Sequence, residues 1–202
     1  MLKPFKPVAL ASLLLAGSAF AATVGQPAPS FTVADTAGRT VSLADFKGKT
    51  VVLEWVNPGC PYVRKHYDSS NMQATQKGAT GQGVVWLSVN STAQDHYDYR
   101  QPAEMAAWMT GRKAAATHAL MDSDGKTGKA YGARTTPHLY IVDAKGTLVY
   151  AGGIDDKPSA NPADVKTAKN HVNAALADIA AGKAVAQAAT RPYGCSVKYS
   201  DG

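Results

Sequence analysis

Glu54-Trp55-Val56-Asn57-Pro58-Gly59-Cys60-Pro61-Tyr62-Val63-Arg64-Lys65-His66 constrains this chain more than any other stretch. The apolar run Val51 to Trp55 that leads into it suits a buried strand. Asn57-Pro58-Gly59 then makes a tight turn, and Pro61, with fixed φ and no N–H, suits the first position of a helix. A buried strand that turns into a helix at one cysteine calls for a layered α/β domain.

The rest of the chain fits that frame. Val84 to Val89 reads as a second buried strand. Phe31 to Val33 and Thr40-Val41 flank the turn Ala37-Gly38-Arg39 as a hairpin, and Leu139 to Val142 and Thr147 to Tyr150 flank Asp143-Ala144-Lys145-Gly146 as another. The helix from Pro61 is expected to give way to a second, opened by a capping box of Ser70 and Gln73 and ending near Gly78. Pro102 to Thr110 and Gly125 to Tyr131 are shorter helices. A long helix is expected from Asn161, as N-cap with Pro162 behind it, to Gly182, with Val165, Ala168, Val172, Leu176 and Ile179 as its apolar stripe. A tail from 183 to 202 follows, in which Cys195, between Gly194 and Ser196, is expected to be accessible.

Cys60 sits where the free N–H groups of a helix start and the positive end of its dipole favour an anion. Arg64, one turn on, is expected to add to that field. A thiol with a pKa of about 8.5 is only about 3% thiolate at neutral pH, and helix N-termini lower that pKa. Cys60 is thus a candidate nucleophile; the alternative is a buried structural cysteine. The chain has 202 residues and two cysteines, too few for a disulfide scaffold or a four-thiolate zinc site, and 45% hydrophobic content excludes a disordered chain.

Lys3 and Lys6, the apolar run Val8 to Leu15, and Ala19 and Ala21 read as a secretory leader cleaved after Ala21. The run is short of the roughly 20 residues that span a bilayer. The chain is then a leader, 1–21, and one domain, 22–202, exported to a periplasm where thiols tend to be oxidised. Of 21 basic and 15 acidic side chains, the leader takes Lys3 and Lys6, leaving a mild basic excess. The densest basic group, Arg64-Lys65-His66, reads as solvated surface, so neither nucleic acid nor, after cleavage, a membrane is an expected partner.

Val24-Gly25-Gln26-Pro27-Ala28-Pro29-Ser30-Phe31, Gly48 to Trp55 running into the Cys60 corner, and Tyr131-Gly132-Ala133-Arg134-Thr135-Thr136-Pro137 resemble the thioredoxin-fold redoxins, the AhpC/TSA and peroxiredoxin-like superfamily. The resemblance covers about Val24 to Tyr150. With Cys60-Pro61 and the closing Pro192-Tyr193-Gly194-Cys195, it is strongest to the secreted peroxiredoxin-like members. It implies a thioredoxin-like α/β fold: a central mixed sheet flanked by helices, with an N-terminal hairpin and a C-terminal helix plus tail. It further implies that Thr136-Pro137 is a cis-proline loop facing Cys60, whose backbone pairs with a substrate's extended chain. His138 would then lie close to Cys60 and tune the thiolate or shuttle a proton, or else be a strand residue without chemistry.

The chain departs from the pattern at two places. Val63 stands where thioredoxins carry the second cysteine of C-x-x-C. Counting back from Cys60, Asn57 and Leu53 stand where peroxiredoxins carry Thr or Ser and Pro, which weighs against peroxide reduction and makes a hydroperoxide-reducing antioxidant the enzyme alternative. Cys195 is the candidate resolving partner: Cys60 attacks a disulfide or an oxidant, and Cys195 resolves the mixed disulfide or sulfenic acid. A permanent Cys60–Cys195 staple and two unpaired cysteines are the other readings. The expected site is Cys60 and Cys195 as catalytic residues, with Trp55, Asn57, Pro61, Arg64, Thr136, Pro137 and His138 in support. Expected partners are protein thiols or disulfides, or small oxidants, plus an electron donor.

No cofactor or metal is expected. Gly48-Lys49-Thr50 and Gly125-Lys126-Thr127 lack the first glycine of a P-loop, and Asp122-Ser123-Asp124-Gly125 has Ala133 in place of a calcium loop's final Glu. That stretch reads as a turn capping the next helix. A copper site from Cys60, His66 and His138 is the non-enzyme alternative, alongside a degenerate redoxin that only binds partners.

Overall fold

The computed structural model describes residues 22–200; the leader reading falls outside the described residues. Strands β1 (Thr32–Ala34) and β2 (Thr40–Ser42) form the expected antiparallel hairpin. The central sheet has five strands: β3 (Val51–Trp55), β4 (Val85–Asn90), β5 (His118–Met121), β7 (His138–Val142) and β8 (Leu148–Gly152). Their order is β5-β4-β3-β7-β8; β3, β4 and β5 run parallel, and β7 and β8 antiparallel to their neighbours. The short strand β6 (Thr135–Thr136) pairs antiparallel with β9 (Cys195–Ser196).

Helices cover both faces. Five are described: α1 (Pro61–Asp68), α2 (Asn71–Thr80), α3 (Pro102–Gly111), α4 (Lys126–Tyr131) and α5 (His171–Ala180). Strand alternation divides the core. Val52, Trp86, Leu139, Ile141 and Tyr150 face α1, α2, α3 and α5, meeting Val63, Tyr67, Met72, Met105, Val172 and Leu176. Val51, Leu53, Trp55, Leu87, Val89, Tyr140 and Val142 face the N-terminal hairpin and α4, meeting Phe31, Val41 and Tyr131. Burying one such large apolar side chain is worth about 1.5–3 kcal/mol, so β3, buried along its whole length, anchors both layers.

Two expectations are corrected, and one strand is new. The Ser70–Gln73 capping box is absent: Ser70 takes the left-handed region at φ 61, its side chain makes no cap bond, and the Gln73 amide donates to the carbonyls of Tyr67 and Arg112. The left-handed backbone of this tight turn between α1 and α2 is not the extended N-cap geometry that a capping box uses. The single helix from Asn161 is broken. Asn161 caps only a 3-10 turn over Pro162–Thr167, Ala168 returns to extended backbone, and Asn170 caps α5 anew by accepting from the Asn173 N–H. Of the expected stripe, Val172 and Leu176 reach the core and Ile179 packs against it, whereas Val165 and Ala168 precede α5. Finally, β5 is an unforeseen strand at the sheet edge.

The Asp122 turn does cap α4: its carboxylate accepts from the N–H groups of Thr127 and Gly128 and from the Ser91 hydroxyl. Among the described residues, no helix is long and apolar enough to cross a membrane.

Candidate active site

The corner after β3 is built by Asn57. Its side-chain oxygen accepts from the Gly59 N–H at 2.7 Å and its amide donates to Thr92 Oγ1 at 3.1 Å, which ties the turn to the end of β4. Gly59 lies against Asp98, and a Cβ there would come within 2.9 Å of Asp98 Oδ1 and make that side chain move. Cys60 is the N-cap of α1, with Pro61 behind it, and its carbonyl accepts the first helical bond from Arg64 N–H.

The Cys60 sulfur lies 2.8 Å from Cys195 Sγ and 3.0 Å from the Thr136 carbonyl oxygen. The Thr136–Pro137 peptide is cis. Three distant segments therefore meet at one point: the start of α1, the β6 edge and the C-terminal tail. Both thiols are free. Cys60 is buried at 3% exposure and Cys195 is only half-buried, so the tail covers the helix-start thiol. Burial, its bond with Cys60 and the charge of Cys60 push the Cys195 thiol up to about 12.

The tail is docked from Thr190 to Tyr199, contrary to the accessible segment expected. Thr190 Oγ1 accepts from the Gly153 N–H, Val197 N–H donates to Arg134 O, Ala93 N–H donates to Lys198 O, and Tyr199 Oη donates to Ala133 O. Gly194, at φ 141, passes so close to the Thr136 carbonyl that no Cβ would fit. A cleft of about 810 Å³ opens beside this segment, lined by Thr135, Asp155, His171, Arg191, Tyr193 and Gly194 among others.

The remaining expected residues divide. Asn57, Pro61, Thr136 and Pro137 surround the thiols, and Arg64 is exposed on the first turn of α1. Trp55 and His138 are placed elsewhere. They face each other in the β3–β7 register, so both side chains lie on the sheet face opposite the one Cys60 packs against. Trp55 donates to Ser91 Oγ at 3.0 Å and packs on Tyr131 and Tyr140. His138 Nδ1 lies 3.2 Å from the Tyr140 hydroxyl, and burial, with Arg134 nearby, lowers its pKa to about 4.

Sequence reasoning missed Lys65 and His66, read as solvated surface: both are fully buried. The seat of His66 follows from helical spacing, since Val63, His66 and Tyr67 share one face of α1, whereas Lys65 lies off that face and is covered by Asp155, the Lys157 carbonyl and Tyr193. His66 instead meets Tyr193 and Asn71, so the two histidines do not converge with Cys60 on a copper site. Among the described residues, no group of three or more His, Cys, Asp or Glu side chains is arranged to hold a metal ion. The polar partners of the Cys60 sulfur are Cys195 and the Thr136 carbonyl. Asp98, against Gly59 and close enough to Cys195 to raise its pKa, and Asp155, in the cleft, also carry no local sequence signal.

A mixed sheet whose buried strand delivers a cysteine to a helix start, opposite a cis-proline, defines a thioredoxin-like redoxin. The structure resembles the thioredoxin domain of a thiol-disulfide oxidoreductase from Bacteroides vulgatus, with a TM-score of 0.52 and 24% identity over 72% of this chain and 96% of that one. A hypothetical protein from Sinorhizobium meliloti 1021 matches with a TM-score of 0.75 and 24% identity, over 91% of this chain and 98% of its own. By sequence, thiol-disulfide oxidoreductase ResA of Bacillus thuringiensis subsp. konkukian is 24% identical over 133 residues, 62% of this chain and 67% of ResA. Residues 24–151 match the AhpC/TSA family, and the chain belongs to that family.

Proposed function

We propose that the protein is a thiol-disulfide oxidoreductase in which Cys60 is the nucleophile and Cys195 the resolving thiol, acting outside the cytoplasm after loss of residues 1–21. The observation that carries this reading is the 2.8 Å approach of the two sulfurs at a helix N-terminus, from positions 135 residues apart. Helix starts carry free backbone N–H groups and the positive end of the dipole, Cys60 is the N-cap of one, and Cys195 supplies the second thiol that α1 lacks.

In the forward direction the tail lifts and the Cys60 thiolate attacks one sulfur of a substrate disulfide. One substrate thiolate leaves, and the other half stays on Cys60 as a mixed disulfide. Cys195 gives up its proton and attacks the Cys60 sulfur. The second substrate thiolate departs, and the Cys60–Cys195 disulfide retains the oxidising equivalents while the substrate gains two electrons. A donor thiol then attacks Cys195, the more exposed sulfur. Cys60 leaves as a thiolate stabilised by the N–H groups of α1, and a second donor thiol completes the reduction, releasing the donor disulfide. Substrates and donor are thus thiols and disulfides, with the cleft beside Gly194 as the approach.

Cys195→Ser tests the scheme: mixed disulfides through Cys60 should accumulate, whereas Cys60→Ser should abolish disulfide reduction. Full activity in the Cys60→Ser protein contradicts the assignment. Export is tested by N-terminal sequencing of protein recovered outside the cytoplasm, which should begin at Ala22.

A further inference from the structure

A buried polar cluster under the tail takes no part in the scheme above. It joins Lys65 and His66 of α1, Asp155 after β8, and Tyr193, two residues before Cys195. The side chains of Lys65, His66 and Asp155 are almost wholly excluded from solvent. The Tyr193 hydroxyl donates to Asp155 Oδ1 at 2.5 Å, lies 3.1 Å from His66 Nε2 and accepts from Lys65 Nζ at 3.2 Å. Lys65 Nζ also donates to the Lys157 carbonyl at 2.7 Å and sits 3.5 Å from Asp155 Oδ2. His66 Nδ1 meets Asn71 at 2.9 Å, and the Tyr193 ring packs edge-on against Tyr62.

Burying an ammonium and a carboxylate gains little stability over well-packed apolar residues, so such a cluster is weakly explained by stability alone. Its common point is one hydroxyl on the tail, and two of its members belong to the helix whose N-cap is Cys60. Gly194, pinned against the Thr136 carbonyl, links that hydroxyl to Cys195 with little slack.

We propose that Tyr193 is the positioning residue of the thiol pair: its hydroxyl, seated among Lys65, His66 and Asp155, sets the effective concentration at which Cys195 meets Cys60. The proposal rests on the reading of Cys60 and Cys195 as a redox pair. The equilibrium it governs is the Cys60–Cys195 disulfide plus two glutathione thiols giving two protein thiols plus glutathione disulfide. Losing the hydroxyl leaves the ring packing and the flanking contacts of Thr190, Val197 and Tyr199 in place but loosens the segment between them, so Cys195 spends less time against Cys60.

The experiment equilibrates the full chain with graded glutathione thiol and disulfide, traps thiols, and reads the equilibrium constant for wild type, Tyr193→Phe and Asp155→Asn. A hydrogen bond to a charged group carries enough free energy for a roughly tenfold to hundredfold loss in the constant for disulfide formation. Both variants, altered on separate elements, should show it, and near-UV circular dichroism selects the variants that keep the native packing. In a Cys195→Ser background, Tyr193→Phe should speed labelling of Cys60 by a bulky maleimide by a similar factor. A constant unchanged in the folded variants overturns the positioning role and leaves the redox pair standing. A wild type that forms no Cys60–Cys195 disulfide at any ratio overturns both.

Discussion

Glu54 shows how a single buried residue can organise a layer. It is fully buried behind the Cys60 corner, and four neutral donors converge on its carboxyl group: Tyr67 Oη, Gln76 Nε2, Trp86 Nε1 and Ser88 Oγ. Burial raises its pKa, and the four bonds oppose that rise. Glu54→Leu would remove the acceptor of four buried hydrogen bonds at once, leaving Gln76 only its bond to the Tyr67 hydroxyl, and should destabilise the protein by roughly 3 kcal/mol or more in urea denaturation. The two buried histidines give a pH signature. Burial holds His66 and His138 at about 4, below the ordinary 6.5; Lys65 adds to the effect at His66 and Asp155 opposes it. The unfolded chain therefore binds more protons between pH 6.5 and 4, so this stability is complete above pH 6.5 and is lost as pH falls toward 4. The urea midpoint should drop across that window, and His138→Gln should flatten part of the drop; an unchanged slope would contradict the burial argument.

Elements differed in how plainly they were written. The strand Val51–Trp55 was readable because every residue is buried and the turn and helix signals are local. His118–Met121 carried no alternation and few β-branched residues; pairing with β4 makes it a strand. The expected helix from Asn161 looked continuous because the apolar spacing runs through residues 168–170, yet the Asn170 side chain caps a new start and its amide donates to Thr75. Asn170→Ala should therefore cost about 1–2 kcal/mol, a typical N-cap value, while Asn161→Ala should cost a few tenths. Equal losses in thermal melts would restore the single helix. At the site, Cys60 and the cis-proline were legible, but Tyr193 and Asp155 were not. Their roles come from contacts between segments far apart in sequence.

At the scale of the whole molecule, the tail closes the chain onto its own start of α1. A Cys60–Cys195 bond would enclose a loop long enough for chain entropy to contribute roughly 5 kcal/mol. Oxidised protein should accordingly melt about 10 °C or more above reduced protein, given the few degrees per kcal/mol expected at this size. Cys195→Ser should erase the difference. Because tail docking uses Thr190, Tyr193, Val197 and Tyr199 as well as the cysteine, the reduced protein should still keep its tail ordered. The central claim is that the pair exchanges electrons instead of stapling the fold. A redox titration of the protein with thiol trapping tests it most directly: a midpoint between about −180 and −270 mV is predicted, and one below about −300 mV would contradict it.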